Sequence, residues 1–181
     1  MHLPGAGVGG HCIPKDPWLL AYGARDKGIP IQLIPAARAV NNSMPLHMAD
    51  LVQKALASLG CDMVGSRVLV LGYAYLEDSD DTRNSPSEML AARLKFMGSD
   101  VVIHDPYVPE YQGDIYQAAE GCDAAVVMVR HREYLDLDLD ILKDKLCTPV
   151  LVDGRRVVDR HAAIEVGFTV RSIGTNNKAL G

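Results

Sequence analysis

The chain has few cysteines, no surplus of positive charge and no long apolar run, and each of these absences excludes a class of protein. Its four cysteines are far apart, with no C-x-x-C pair and no metal-ligand spacing, so a bound metal is not expected. The formal net charge of -5 gives no reason to expect nucleic acid or an anionic membrane as a partner. No apolar run approaches the roughly 20 residues that span a bilayer, and the N-terminus lacks a signal-peptide pattern.

Reduced thiols in a cytoplasmic protein are the simplest interpretation of this cysteine usage. The length of 181 residues suits one ordinary α/β domain with an appendage. Apolar residues make up 48% and charged residues 23%, as is typical of soluble globular proteins. Because the chain as a whole is acidic, any anionic ligand must be held by a local basic cluster.

Residues 1–65 form the first of two regions, a glycine-rich segment followed by helical patterns. Asp16-Pro17 predicts a helix N-cap followed by proline at the first helical position, with the helix ending near Gly28. A second helix is predicted over about 35–59, and its length exceeds what a small domain needs internally. We therefore expect its apolar face to meet another molecule. The residues of that face are Met44, Met48, Leu51, Val52, Ala55 and Leu59.

Residues 66–181 alternate apolar runs with helical patterns, which predicts a Rossmann-like α/β fold: an open parallel sheet with helices on both faces. Ser-Pro-Ser-Glu at 85–88 is a capping box whose helix should end at Gly98, and 159–167 brackets another short helix. The last residues, 176–181, are expected to be a frayed tail. The predicted strands are 67–71, 101–103, 124–129, 149–152 and 168–173.

Cationic side chains follow three of the predicted strands. Open parallel sheets bind ligands beyond the carboxyl ends of their strands, so these residues predict a positive rim where a phosphate would bind. Taken alone, each is better explained as an ordinary polar loop residue. The strand-end segments are Gly72 to Leu76, His104-Asp105-Pro106, Arg130-His131-Arg132 and Gly154-Arg155-Arg156.

Gly5, Gly7 and Gly10 form a G-x-G-x-x-G pattern that lacks the structural context of a dinucleotide-binding fingerprint. Only four residues precede it, and Pro14 and Pro17 should prevent a helix directly behind it. We interpret the match as fortuitous for NAD binding. The glycines still indicate that the backbone approaches a ligand or another segment closely.

Cys12 follows the glycines and is a candidate nucleophile. A thiol flanked by Lys15 on a glycine-rich turn is typical of an activated, accessible cysteine. The alternative is a buried, inert thiol, the commonest fate of a free cysteine. That alternative suits Cys61, Cys122 and Cys147, which lie in or beside the ends of apolar elements.

Arg83 lies in a carboxylate-rich stretch directly ahead of the capping box. An arginine just before a helix N-terminus is well placed to hold a phosphate. The alternative is a solvated loop in which Arg83 forms a local salt bridge.

Five segments match the motifs of one family in the right order: GVGGHCIPKDP at 7–17, LGYAY at 71–75, DDTRNSP at 80–86, HDPY at 104–107 and VDGR at 152–155. The first resembles the catalytic-cysteine motif of the UDP-glucose/GDP-mannose dehydrogenase family, and the others resemble that family's C-terminal domain. The resemblance covers essentially the whole chain. The Gly-His-Cys-Ile form is most similar to the branch that acts on UDP-N-acetylhexosamines, such as UDP-N-acetyl-D-mannosamine.

The resemblance implies an enzyme that oxidises the C6 alcohol of a UDP-sugar to a carboxylate in two hydride transfers to NAD. Cys12 would attack the intermediate aldehyde, and the resulting thiohemiacetal would become a thioester that water releases. Asp16 would position or activate that water. The substrate would be contacted by Gly9, Tyr75, Leu76 and Arg155, and NAD by Lys15 and Arg83.

The sequence departs from the family in two respects. Leu76 stands where the family usually has lysine, so one charge on the substrate side is missing. The N-terminal NAD-binding domain is absent, so the chain alone should be inactive. Residues 1–65 would then be the catalytic-cysteine segment and central helices, and 66–181 the UDP-sugar-binding domain. A homodimer built on the long helix is also implied.

Two other functions stay open. One is a non-enzymatic module for nucleotide binding and dimerisation. The other is a cysteine hydrolase or acyltransferase that pairs Cys12 with His11. Adjacent residues in an extended segment point to opposite sides, which argues against His11 as the base.

Overall fold

Five strands form one sheet at the centre of the structure, a computed structural model that describes residues 4–175. Each strand lies within two residues of its predicted position, because long apolar runs mark strands that are buried on both faces. The tail predicted at 176–181 lies outside the described residues. The strands are β1 (Arg67–Leu71), β2 (Asp100–His104), β3 (Ala124–Val127), β4 (Val150–Asp153) and β5 (Thr169–Ser172).

The strand order is β2-β1-β3-β4-β5, and every neighbouring pair is parallel. All the carboxyl ends therefore lie at one edge of the sheet. The chain order reverses between β1 and β3, and in doubly wound sheets a crevice for ligands opens at such a point.

Helices cover both faces of the sheet, which confirms the predicted fold class. Alternate residues of β1 pack into the two cores, Val68 into one and Leu69 into the other. No helix in the described part of the chain is both long and apolar enough to cross a membrane. The first face carries α2 (Leu33–Ser58) and α3 (Pro86–Phe96), and the second carries α4 (Ile115–Ala119), α5 (Leu139–Lys145) and α6 (Arg160–Val166). Short 3₁₀ turns lie at Arg25–Lys27, Pro109–Tyr111 and Arg132–Tyr134.

Ser85 begins α3 as predicted, since its hydroxyl accepts a hydrogen bond from the backbone N–H two residues on, at 3.1 Å. The capping box is only half formed, because the N–H of Ser85 donates to the carbonyl of Thr82 instead of to Glu88. Met89 is 42% exposed, whereas its neighbour Leu90 is buried.

Helix α1 spans Cys12–Ala24, so the prediction that Asp16 is its N-cap is wrong. The chain turns at Gly10, where φ is 87°, and enters the helix within two residues. Pro14 is tolerated because it lies in the first turn, where a missing N–H loses no partner. Pro17 is accommodated inside the helix. The expectation that these prolines prevent a helix directly behind the glycines is therefore also wrong.

The C-terminal half of α2 is covered by the chain's own sheet, which corrects the expectation that its apolar face meets another molecule. Met48, Leu51 and Val52 are buried in the first core. The exposed apolar side chains belong mostly to the N-terminal half of the helix, where Leu33 is 80% and Val40 63% exposed. Because residues on both sides of position 65 share this core, a domain boundary there stays a prediction.

Candidate functional site

The glycine-rich segment lies across the carboxyl edge of the sheet. The carbonyl of Gly7 accepts a hydrogen bond from Nη2 of Arg155, in the loop after β4, at 2.5 Å. The N–H of Gly10 donates to the carbonyl of Arg83, just before α3, at 2.9 Å. The segment is thus bound to the edge at which parallel sheets hold ligands.

Cys12 is the first residue of α1, and it is exposed. The first N–H groups of a helix lack backbone partners and can donate hydrogen bonds to a group that lies beside them. Lys15 and Asp16 lie three and four positions further on, so both share a helix face with Cys12. Their side chains form an ion pair, with 3.3 Å between Nζ and Oδ1. Lys15, which the sequence places beside the thiol, is therefore paired with Asp16.

Arg83 forms a local salt bridge with Asp81, the arrangement that the sequence left open beside phosphate binding. Its Nη2 lies 2.5 Å from Oδ2, and its Nε donates to both carboxylate oxygens. The side-chain hydrogen bond from Arg83 lowers the pKa of Asp81 to about 2, and the same contact raises the pKa of Arg83. Arg83 also lies within electrostatic reach of Cys12.

Tyr75 packs directly against the two glycines that precede His11. A Cβ at Gly10 would lie 2.7 Å from the Tyr75 ring, and one at Gly9 would lie 3.0 Å from the tyrosine Cβ. The structure thus brings Gly9 and Tyr75 together, and their contact with the substrate stays a prediction. Leu76, the next residue, is 41% exposed and offers an apolar side chain at this edge.

A recess of about 250 Å³ lies at the carboxyl ends of β3, β4 and β5, and its lining includes Arg130, Arg155 and Arg156. Arg155 donates from Nε to the carbonyl of Met128 at 2.8 Å, and burial lowers its pKa. Within residues 4–175, no carboxylate lies at ion-pair distance from this guanidinium. The guanidinium is partly buried and Glu77 acts on it only from a distance, so the binding of an anion here is favoured.

Asp105 joins the loops that follow β1, β2 and β3. Its buried carboxylate accepts a hydrogen bond from Nε2 of His131 at 3.1 Å. Burial acts to raise the pKa of Asp105, but the hydrogen bonds from His131 and the backbone outweigh it and hold the pKa well below its usual range. Nδ1 of His131 accepts from the N–H of Asp78 at 3.0 Å, which assigns the ring proton to Nε2. The backbone donors to Asp105 are Tyr73, Ala74, Tyr107 and Val108.

Sequence reasoning did not single out four residues that organise this edge. Asp105 and His131 lay at strand ends, and Asp105 and Asn84 also lay in the matched motifs HDPY and DDTRNSP, but none of the three was given a role. Asn41, which binds the backbone of Val8, had no signal. The partners of Asn41 and Asn84 lie 33 and 74 positions away, so only the packed chain brings them together.

The glycine pattern packs against the chain's own atoms, and the prediction that it does not bind NAD stays a prediction. A Cβ at Gly5 would lie 2.7 Å from Nη1 of Arg155, and one at Gly7 would lie 3.2 Å from Pro86, so the chain's own atoms fill this space. The side chains of Lys15 and Arg83 are 51% and 61% exposed, and their contact with NAD stays a prediction. Among the described residues, no three His, Cys, Asp or Glu side chains are grouped to hold a metal ion.

Comparison with known proteins first defines a class, the nucleotide-sugar dehydrogenases. The solved structure of NDP-N-acetyl-D-galactosaminuronic acid dehydrogenase from Methanosarcina mazei Go1 matches with a TM-score of 0.89 and 37% identity, over 98% of this chain and 40% of that one. UDP-N-acetyl-D-mannosamine dehydrogenase from Pyrococcus horikoshii is 34% identical over 174 residues, 96% of this chain and 40% of the relative. UDP-glucose 6-dehydrogenase from Rhizobium meliloti is 34% identical over 180 residues, 94% of this chain and 40% of the relative.

Two family models match the chain. The UDP-binding domain of the UDP-glucose/GDP-mannose dehydrogenase family matches residues 69–160, and the central domain of the same family matches residues 1–43. The chain belongs to the UDP-glucose/GDP-mannose dehydrogenase family, which confirms the resemblance of its motifs. It spans about 40% of the length of these relatives.

Proposed function

We propose that this chain is the part of an NAD-dependent nucleotide-sugar 6-dehydrogenase that carries the catalytic cysteine and binds the UDP end of the substrate. The observation that carries the proposal is the position of Cys12, an exposed thiol in the first turn of α1, on a segment bound to the carboxyl edge of the sheet. Relatives from Pyrococcus horikoshii and Methanocaldococcus jannaschii are UDP-N-acetyl-D-mannosamine dehydrogenases. We therefore propose UDP-N-acetyl-D-mannosamine as the substrate and its uronate as the product.

Cys12 supplies the nucleophile. Its thiolate adds to the carbonyl carbon of the C6 aldehyde, and the oxygen takes up a proton to give a thiohemiacetal. Loss of a hydride from C6 and of the hydroxyl proton converts this adduct to a thioester. Water then attacks the thioester, which releases the carboxylate and the thiolate. Asp16, one helical turn from Cys12 and about half exposed, orients this water and accepts its proton.

Lys15 and Arg83 are the residues of this chain that contact NAD. Both are exposed cations near Cys12, and their carboxylate partners can give way to a phosphate. NAD, when bound, supplies the oxidising power for both hydride transfers. Because the chain's own atoms fill the space beside the glycines, we propose that the main NAD pocket belongs to a part of the enzyme outside this sequence. The chain covers 40% of the length of its relatives, which is in keeping with this proposal.

Arg155, with Arg130 and Arg156, holds the diphosphate in the recess at the carboxyl ends of β3 to β5. Its guanidinium is partly buried, the charge of Glu77 acts on it only from beyond ion-pair distance, and a diphosphate would supply a close anionic partner. Gly9, Tyr75 and Leu76 remain the proposed contacts of the sugar. The unpaired state of all four cysteines is in keeping with the cytoplasmic location that we propose.

A cysteine hydrolase that uses His11 as its base receives less support. The argument that the two residues point to opposite sides is wrong, because both lie at a helix start and not in an extended segment. However, no hydrogen bond joins His11 to Cys12 among the contacts of residues 4–175. A non-enzymatic nucleotide-binding module is what this chain would be in isolation, without the upstream part.

Replacement of Cys12 by serine in a protein that also carries the upstream domain tests the proposal. We expect uronate formation to fall by more than about 100-fold and the aldehyde stage to stall, because the serine hydroxyl is a poor nucleophile without an adjacent base. Cys147→Ser, at another exposed cysteine, is the control and should leave the rate nearly unchanged. Near-normal uronate production by Cys12→Ser would rule out the nucleophile role.

A further inference from the structure

Residues 7–10 have no regular secondary structure, and two asparagine amides supply partners for their backbone. Oδ1 of Asn41, in α2, accepts from the N–H of Val8 at 2.9 Å, and its Nδ2 donates to the Val8 carbonyl at 2.9 Å. Nδ2 of Asn84, just before α3, donates to the carbonyl of Gly10 at 2.9 Å. Backbone groups outside helices and sheets need such partners, and an amide offers both a donor and an acceptor.

The backbone that these amides hold leads directly into the helix that carries the thiol. Cys12 is two residues beyond Gly10, and His11 provides no side-chain cap for α1. The direction of the first turn therefore depends on how Gly10 is held. Asn84 has a φ of 51°, a left-handed conformation that asparagine tolerates better than most residues do. A Cβ on Gly9 would lie 2.3 Å from the Asn84 carbonyl oxygen, so the two segments are in tight contact.

We propose that Asn41 and Asn84 are positioning residues for Cys12, which fix the backbone of residues 8–10 and thereby the first turn of α1. The catalytic consequence rests on the proposed function of Cys12, whereas the effect on the chemical reactivity of the thiol does not. Loss of either side-chain hydrogen bond loosens the segment, which Arg155 and the Arg83 carbonyl then hold alone, and lets the first turn of α1 fray, so that Cys12 loses its fixed position beside the first N–H groups of the helix. Because Cys12 is already exposed, fraying adds little access, and the thiol becomes less reactive.

The test uses Asn41→Asp and Asn84→Asp, which keep the side-chain shape but replace the donating nitrogen by an oxygen that faces a carbonyl. Alkylation of each cysteine by iodoacetamide is followed by peptide mass spectrometry, with exposed Cys147 as the internal reference. We expect the Cys12 rate to fall about fivefold relative to Cys147, the size of effect that the loss of one net hydrogen bond produces. Asn42→Asp is the matched control, since Asn42 accepts a hydrogen bond from Arg38 and aspartate retains the acceptor.

An unchanged ratio of the Cys12 and Cys147 rates in both variants overturns the proposal. Cys122 reports on folding in the same experiment, because burial raises its pKa to about 11 and alkylation of this thiol near pH 8 would signal unfolding. If an aspartate variant unfolds, Asn84→Gly replaces it, since glycine retains the left-handed backbone and removes only the amide.

In a protein that carries the upstream domain, the same variants should lower kcat and leave KM for the nucleotide sugar unchanged. A merely structural role would reduce the amount of folded protein without this split between kcat and KM. The two proposals can fail separately. Normal turnover by Cys12→Ser would refute the function but leave the alkylation result standing, whereas unchanged alkylation refutes only the positioning role.

Discussion

Gly9 has no space for a side chain, because a Cβ there would lie 2.3 Å from the carbonyl oxygen of Asn84. Gly9→Ala must therefore push the catalytic segment off the turn before α3, and we expect it to lower the free energy of unfolding by about 1–3 kcal/mol. Gly23→Ala is the control: no atom lies within 4 Å of a Cβ there, and in a helix alanine should add ~0.5–1 kcal/mol. Urea unfolding measures both variants. A Gly9→Ala variant as stable as the wild type would show that the segment is not held tightly.

At the scale of elements, Asp105 holds three strand-end loops in place. We expect Asp105→Asn to lower the free energy of unfolding at pH 7 by about 3 kcal/mol. The substitution removes the charge of a buried carboxylate that accepts a hydrogen bond from His131. Because the folded-state pKa is depressed, the carboxylate's contribution is complete above the unfolded-state pKa of about 3.9 and is lost as the pH falls towards the folded-state value.

The stability gap between the wild type and Asp105→Asn should therefore narrow below about pH 4. Urea titrations at pH 7 and pH 3 would measure it, with Asp136→Asn, at an exposed position, as the control. A gap that stays constant between the two pH values would mean that the hydrogen bonds to Asp105 do not depend on its charge.

At the scale of the whole molecule, we expect this chain to supply most of the UDP site and little of the NAD site. We expect the chain to bind UDP weakly and NAD not measurably, because three arginines line one recess whereas Lys15 and Arg83 are exposed and each paired with a carboxylate. Arg155→Ala should weaken UDP binding by about 1.5–3 kcal/mol in calorimetric titration. Arg132→Ala is the control, since this exposed arginine pairs with Asp78 outside the recess. NAD binding tighter than UDP binding would contradict this division.

Self-association should use the N-terminal half of α2, whose apolar side chains the chain leaves uncovered. Leu33 and Val40 are 80% and 63% exposed, and burial of such side chains in a second copy stabilises a dimer. We expect Val40→Glu to shift the mass in light scattering at high micromolar concentration from dimer to monomer. Gln53→Glu, at an exposed position further along the helix, should have no effect. A wild-type chain that is strictly monomeric under these conditions would contradict the prediction.

The sequence by itself determined the five strands, the capped start of α3 and the family. Apolar runs, caps and motifs depend on residues close together in the chain, so they can be recognised without knowledge of the packing. The tertiary structure alone decided where α1 begins and which half of α2 is covered. It also decided that Arg155 reaches the Gly7 carbonyl, 148 positions away, and that Asn41 reaches Val8. Such contacts depend on how the helices pack on the sheet, and no local pattern encodes that packing.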